Sequence, residues 1–105
     1  MNVRSVGLRG RDSLGKVAAT IKVMPESEET DIFSIKEQVS SVVKGDYYIG
    51  SINIEDLAFG LKAIKLVVLM DDKEGLMDKL EQSLRNVKGV GEVEVEEVSL
   101  IFPDF

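Results

Sequence analysis

The apolar residues of this chain change their spacing in a fixed order along its length. Residues 16–24 alternate: Val17, Ala19, Ile21 and Val23 share one face, and Lys16, Ala18, Thr20 and Lys22 the other. That period of two marks a half-buried strand. Pro25 ends it, and 26–29 form an acidic loop. Ile32, Ile35, Val39 and Val42 or Val43 then recur at three- and four-residue steps, the stripe of a helix. Thr30 or Asp31 caps this helix, Lys44 falls in its last turn and Gly45 lies just beyond. Residues 47–55 are a second strand with Tyr48, Ile52 and Ile54 facing the core, and 56–60 are a turn. Residues 61–70 are apolar on nearly both faces, which predicts a central strand with Ile64, Leu66, Val68 and Met70 as its buried set. Asp71 caps a second helix, with Glu74 three residues on, and its stripe is Leu76 or Met77, Leu80, Leu84 and Val87, stopped by Gly89. Residues 92–100 are a fourth strand, Val93 and Val95 inward and Glu92, Glu94 and Glu96 outward; Glu97 and Val98 break the alternation and predict a bulge or bend.

Strand, helix, strand, strand, helix, strand, joined by short right-handed connections, predicts an α+β ferredoxin-like βαββαβ sandwich. Two helices cover one face of a four-stranded antiparallel sheet of order 4-1-3-2, and the other face is open. The expected division is a disordered N-terminal extension at 1–14, the ferredoxin-like domain at 15–100 and an apolar tail at 101–105.

Composition narrows the chemistry. The 105 residues contain no Cys and no His, which removes disulfides, thiolate nucleophiles, Ser–His relays and ordinary zinc sites. Any metal would be a hard cation held by carboxylates, and none is expected. The formal charge of −6 opposes a phosphate-driven nucleic-acid binder. The longest apolar run, Leu66 to Met70, is far short of a membrane span. Charge is unevenly distributed: the first 22 residues carry five basic groups against Asp12 alone, either a basic arm or a solvated terminal extension.

Each candidate site has a structural counterpart. Gly10 to Val17 imitates the glycine and lysine spacing of a phosphate-binding loop, but Val17 stands where that loop needs Ser or Thr, and a strand follows instead of a helix. Glu92, Glu94 and Glu96 are expected to pair with Lys16 and Lys22 across strands and not to hold a metal. Asp71 and Asp72 are expected to act as a cap and not as an acid–base pair. On the open face, Leu61, Ala63, Val67 and Leu69 form an apolar strip, either a docking surface or a bed for the tail residues Leu100, Ile101, Phe102 and Phe105. Strands 1 and 3 present no aromatic on that face for stacking bases.

The segment Gly15-Lys16-Val17-Ala18-Ala19-Thr20-Ile21-Lys22-Val23-Met24-Pro25-Glu26-Ser27 resembles the start of archaeal elongation factor 1-beta. Ala58-Phe59-Gly60-Leu61-Lys62-Ala63 and Gly89-Val90-Gly91-Glu92-Val93-Glu94-Val95 add two further matches, and the resemblance spans residues 15 to about 98. It implies a cytoplasmic guanine nucleotide exchange factor, not an enzyme, with no cofactor and no catalytic residue. The implied partner is the GTPase elongation factor 1-alpha, whose Mg²⁺ and phosphate contacts the factor disturbs. Neither nucleic acid nor membrane is an expected partner, and the expected state is a monomer or weak homodimer. The implied partner-binding residues are Phe59, Gly60 and Leu61 at the turn before strand 3. Ser99 and Leu100 are the candidates at the end of strand 4, where relatives carry a basic residue and this chain has no Lys or Arg after Lys88. Leu14 stands where relatives often begin with Met, which suggests an alternative start. The competing reading is a small-ligand-binding regulatory domain that dimerises through its sheet and uses Gly89-Val90-Gly91 as a backbone loop.

Overall fold

The computed structural model describes residues 15–101. The readings made for 1–14 and 102–105, including the Leu14 start and the fold-back of Phe102 and Phe105, lie outside the described residues. The order is β1 (Lys16–Pro25), α1 (Ile32–Val42), β2 (Tyr47–Asp56), a short 3-10 turn (Ala58–Gly60), β3 (Lys62–Asp71), α2 (Leu76–Arg85) and β4 (Val90–Ile101). The four strands form one antiparallel sheet of order β2-β3-β1-β4, the ferredoxin-like arrangement expected. β4 runs through Ile101, one residue into the stretch read as tail. No described helix is long and apolar enough to cross a membrane.

The core forms where the two periodicities meet. Val17, Ala19, Ile21 and Val23 of β1 and Ile64, Leu66, Val68 and Met70 of β3 are buried, as their parity requires. They pack under Ile32, Ile35 and Val39 of α1 and Leu76, Leu80 and Leu84 of α2. Asp31 caps α1 as expected, its carboxylate accepting the Phe33 N–H at 3.1 Å. Asp71 does not cap α2. It ends β3, and α2 begins after Gly75, whose φ of 89° turns the chain where a side chain would be strained. α1 ends at Val42, so Lys44 lies past its last turn.

Four further expectations are corrected. Tyr48 is 65% exposed, and Tyr47 takes the inward position. The register shifts between Ile49 and Ser51, so Gly50 is an extra residue, and parity inverts across it. A continuous alternation counted back from Ile52 therefore selects the wrong tyrosine. In β4 the extra residue is Glu96, because Thr20 pairs with Glu97 and Ile21 with Val95. The bulge lies one residue earlier than Glu97-Val98. Finally, Lys16 does not pair with the strand glutamates, although Lys22 stands opposite Glu94 in register as expected. Lys16 Nζ donates to Asp71 at 2.6 Å. Glu96, turned by its bulge, reaches over β1 to Lys65 at 3.0 Å, and Glu55 approaches the same lysine at 4.0 Å. Ala63 is fully buried, so the open-face strip is narrower than its sequence parity suggests.

Tyr47 also anchors α2 to β2, its hydroxyl donating to the Leu76 carbonyl at 2.7 Å. Tyr47→Phe is expected to cost about 1 kcal/mol in urea denaturation, the net value of one hydrogen bond. Tyr48→Phe is expected to change nothing measurable, and equal losses would contradict the Gly50 bulge.

Among the described residues, three groups hold their protons to higher pH than usual. The hydrogen bond to Asp71 raises the Lys16 pKa, the hydrogen bond to Glu96 raises that of Lys65, and burial raises that of the Tyr47 phenol. A raised pKa means that the folded chain keeps its proton to higher pH than the unfolded chain. The stabilisation is complete below the ordinary values of 10.5 for lysine and 10.0 for tyrosine, and is lost as pH rises through the raised ones. Denaturation midpoints followed above pH 9 are expected to fall, and to fall less steeply in Tyr47→Phe than in the unchanged chain.

Candidate partner-binding site

The connection between β2 and β3 is short and closed on itself. The Leu57 N–H donates to the Leu61 carbonyl at 2.7 Å, and the Leu61 N–H to Ala58 at 3.2 Å. At its base Asp56 faces Lys62 in register and is ion-paired with it. These bonds force the tip into an uncommon shape. Phe59 has φ 62° and ψ 30°, and Gly60 follows at φ 76°. Glycine adopts that region freely, but a residue with a Cβ loses about 1–2 kcal/mol there. Phe59 is also 95% exposed. Its backbone is strained and its ring is left in water, so neither local conformation nor burial explains a phenylalanine here.

The same sheet end carries the loop between β1 and α1. Its base is pinned by the Glu26 N–H, which donates to the Gly89 carbonyl at 2.8 Å. Gly91 is the extra residue of a second irregularity in β4, and a Cβ on it would lie 2.8 Å from the Pro25 carbonyl oxygen. Only glycine allows this approach. Within the loop of the small-ligand reading, the Gly89 carbonyl accepts from the Glu26 N–H and the Val90 N–H donates to the Val87 carbonyl. Between the pinned loop and the turn lies a cleft of about 240 Å³ lined by Pro25, Ser27, Thr30, Ile32, Phe33 and Gly60. Phe33, on the first turn of α1, is 64% exposed. The stripe reading passed over it; the signal in the sequence is an aromatic beside the buried Ile32, off the apolar stripe.

The structure brings Phe59, Gly60 and Leu61 together and keeps Ser99 and Leu100 apart from them. Ser99 pairs with Ala18 and Leu100 with Val17, near the start of β1, whereas the turn lies beyond the Val23–Ile64 pair at its other end. At about 3.3 Å per strand residue, the stretch of β1 from Val17 to Val23 already spans about 20 Å, and the turn lies farther still. Leu100 is half exposed, beside the exposed Val98 and Ile101. Ser99 Oγ donates to the Glu97 carboxylate at 2.9 Å. The cation that stands opposite Ile101 in register is Lys16. Among the described residues no cluster of three or more carboxylates is placed to hold a metal ion.

Residues 18–101 match the family model described as the EF-1 guanine nucleotide exchange domain. Elongation factor 1-beta of Thermoplasma acidophilum is 42% identical over 88 residues, covering 84% of this chain and all of the relative. That of Methanococcoides burtonii is 44% identical over 85 residues, covering 81% and 96%, and that of Aeropyrum pernix 41% over 87 residues, covering 82% and 97%. Among solved structures, the ACT domain from GTP pyrophosphokinase of Chlorobium tepidum superposes with a TM-score of 0.57 at 23% identity, over 77% of this chain and 99% of that one, a likeness of fold alone.

The strain at Phe59 can be released. Phe59→Gly is expected to raise unfolding stability by about 1 kcal/mol, because the backbone is relieved and no buried contact is lost. A loss of stability would mean that the ring packs on the fold.

Proposed function

Because the chain belongs to the family of the EF-1 guanine nucleotide exchange domain, we propose that it promotes replacement of GDP by GTP on elongation factor 1-alpha by gripping that GTPase through the sheet end that carries Phe59. Family membership supports a guanine nucleotide exchange role in translation elongation, which requires no covalent step. The observation that carries the reading is Phe59, an aromatic both strained and fully presented to solvent. Residues held in unfavourable geometry cluster where a surface must engage a partner.

Exchange follows from differential affinity. A factor that binds the GDP-bound and nucleotide-free GTPase equally well shifts nothing, however tightly it binds. The surface must therefore fit the nucleotide-free form better. Phe59, Gly60 and Leu61 serve as the grip. Ser99 and Leu100, more than about 20 Å away along the sheet, form a second contact. That far end is the one assigned to the Mg²⁺ and phosphate contacts of the GTPase. It presents apolar Leu100 and Ile101, and its nearest cation in register is Lys16 of β1, held by Asp71.

Stopped-flow release of a fluorescent GDP analogue from elongation factor 1-alpha tests the proposal. Saturating amounts of the chain are expected to accelerate release; no acceleration would end the exchange-factor reading. Phe59→Ala is expected to weaken binding about tenfold or more, the behaviour of an interface hot spot, with its thermal unfolding not lowered.

A further inference from the structure

We infer that the cleft between Phe33 and the Phe59 turn receives a cationic, apolar-centred segment of the partner protein, with Phe33 as a second aromatic anchor; for the identity of that protein this rests on the exchange-factor reading. Phe33 follows buried Ile32 and precedes buried Ile35, so the helix aims it away from the core. The fold does not use its ring, which is 64% exposed. It stands over a cleft whose apolar lining is Pro25 and Ile32 and whose far wall is Gly60, the residue after Phe59. An exposed aromatic of α1 and the glycine that follows exposed Phe59 thus line one depression at the same end of the sheet.

Charge selects the occupant. Glu26, Glu28, Glu29 and Asp31 are all exposed along the loop that forms one wall. The cation lining the cleft, Lys62, is held by Asp56. The field over the cleft is therefore negative, which repels the phosphates of GDP and of nucleic acid and favours Lys or Arg beside an apolar side chain. The wall is also fixed before binding, through the Glu26–Gly89 hydrogen bond and the Gly91 contact with Pro25, so little ordering is required on association.

The test measures affinity for nucleotide-free elongation factor 1-alpha by titration calorimetry at low and high salt, beside fluorescent GDP release, with the full chain. Phe33→Ala is expected to weaken binding about tenfold, and a Glu28→Lys/Glu29→Lys double variant to weaken it and to flatten its salt dependence. Both positions are exposed, so thermal unfolding of each variant serves as the check that the fold persists. If the unchanged chain accelerates GDP release while both variants bind like it, the cleft assignment is overturned and the exchange reading stands. If the unchanged chain neither binds nor accelerates release, both fall. Substitution of Arg4, Arg9 and Arg11 by Ser in the full chain separates a rival occupant, the chain's own basic arm. A gain in affinity from those changes that disappears in the Glu28→Lys/Glu29→Lys background would assign the cleft to the arm and overturn the proposal.

Discussion

Ile21 and Leu66 face one another at the middle of the two central strands, and neither has any exposed surface. The rest of the molecule depends on that pairing. A slip of one residue would turn every second side chain of β1 or β3 out of the core. With the register held, the same faces supply the floor on which α1 and α2 lie, and both ends of the sheet acquire fixed positions. Phe59 sits at one end and Leu100 at the other because Val23 is paired with Ile64 and Val17 with Leu100.

This pairing was also the most legible part of the sequence. The parity of residues 17–23 and of 64–70 predicts the buried set, and the helix stripes predict Ile32, Ile35, Val39, Leu80 and Leu84, all buried. Alternation is a count, and a count fails where the chain inserts a residue. Gly50 shifts the parity of β2 and exchanges Tyr47 for Tyr48; Glu96 does the same to β4 and turns its own carboxylate toward Lys65. Asp71 offered a plausible cap, but tertiary pairing with β1 kept it in the strand. Ion pairs between long exposed side chains depend on reach across strands, and register alone does not specify them.

The candidate site was legible to a different degree. Phe59 stood out through a family-like motif, and its left-handed backbone emerged only from the closed Leu57–Leu61 connection. Phe33 carried no motif. Its place beside the turn results from the crossover of α1 over the sheet and from the contact of Gly91 with Pro25, two relations between residues far apart in the chain. The absence of Cys and His, which first reads as missing chemistry, suits a surface that works by shape and charge.

The bulges at Gly50 and Glu96 have a consequence beyond side-chain parity. Gly50 lies in β2 and Glu96 in β4, and these are the two outer strands of the sheet. A bulge increases local twist and interrupts the row of free N–H and C=O groups that an outer strand presents. Both flanks are thereby unsuited to extension by another strand, and Glu92, Glu94 and Glu97 add like-charge repulsion along one of them. Among the described residues, neither outer strand offers a straight, unbroken edge on which a neighbouring sheet could be extended.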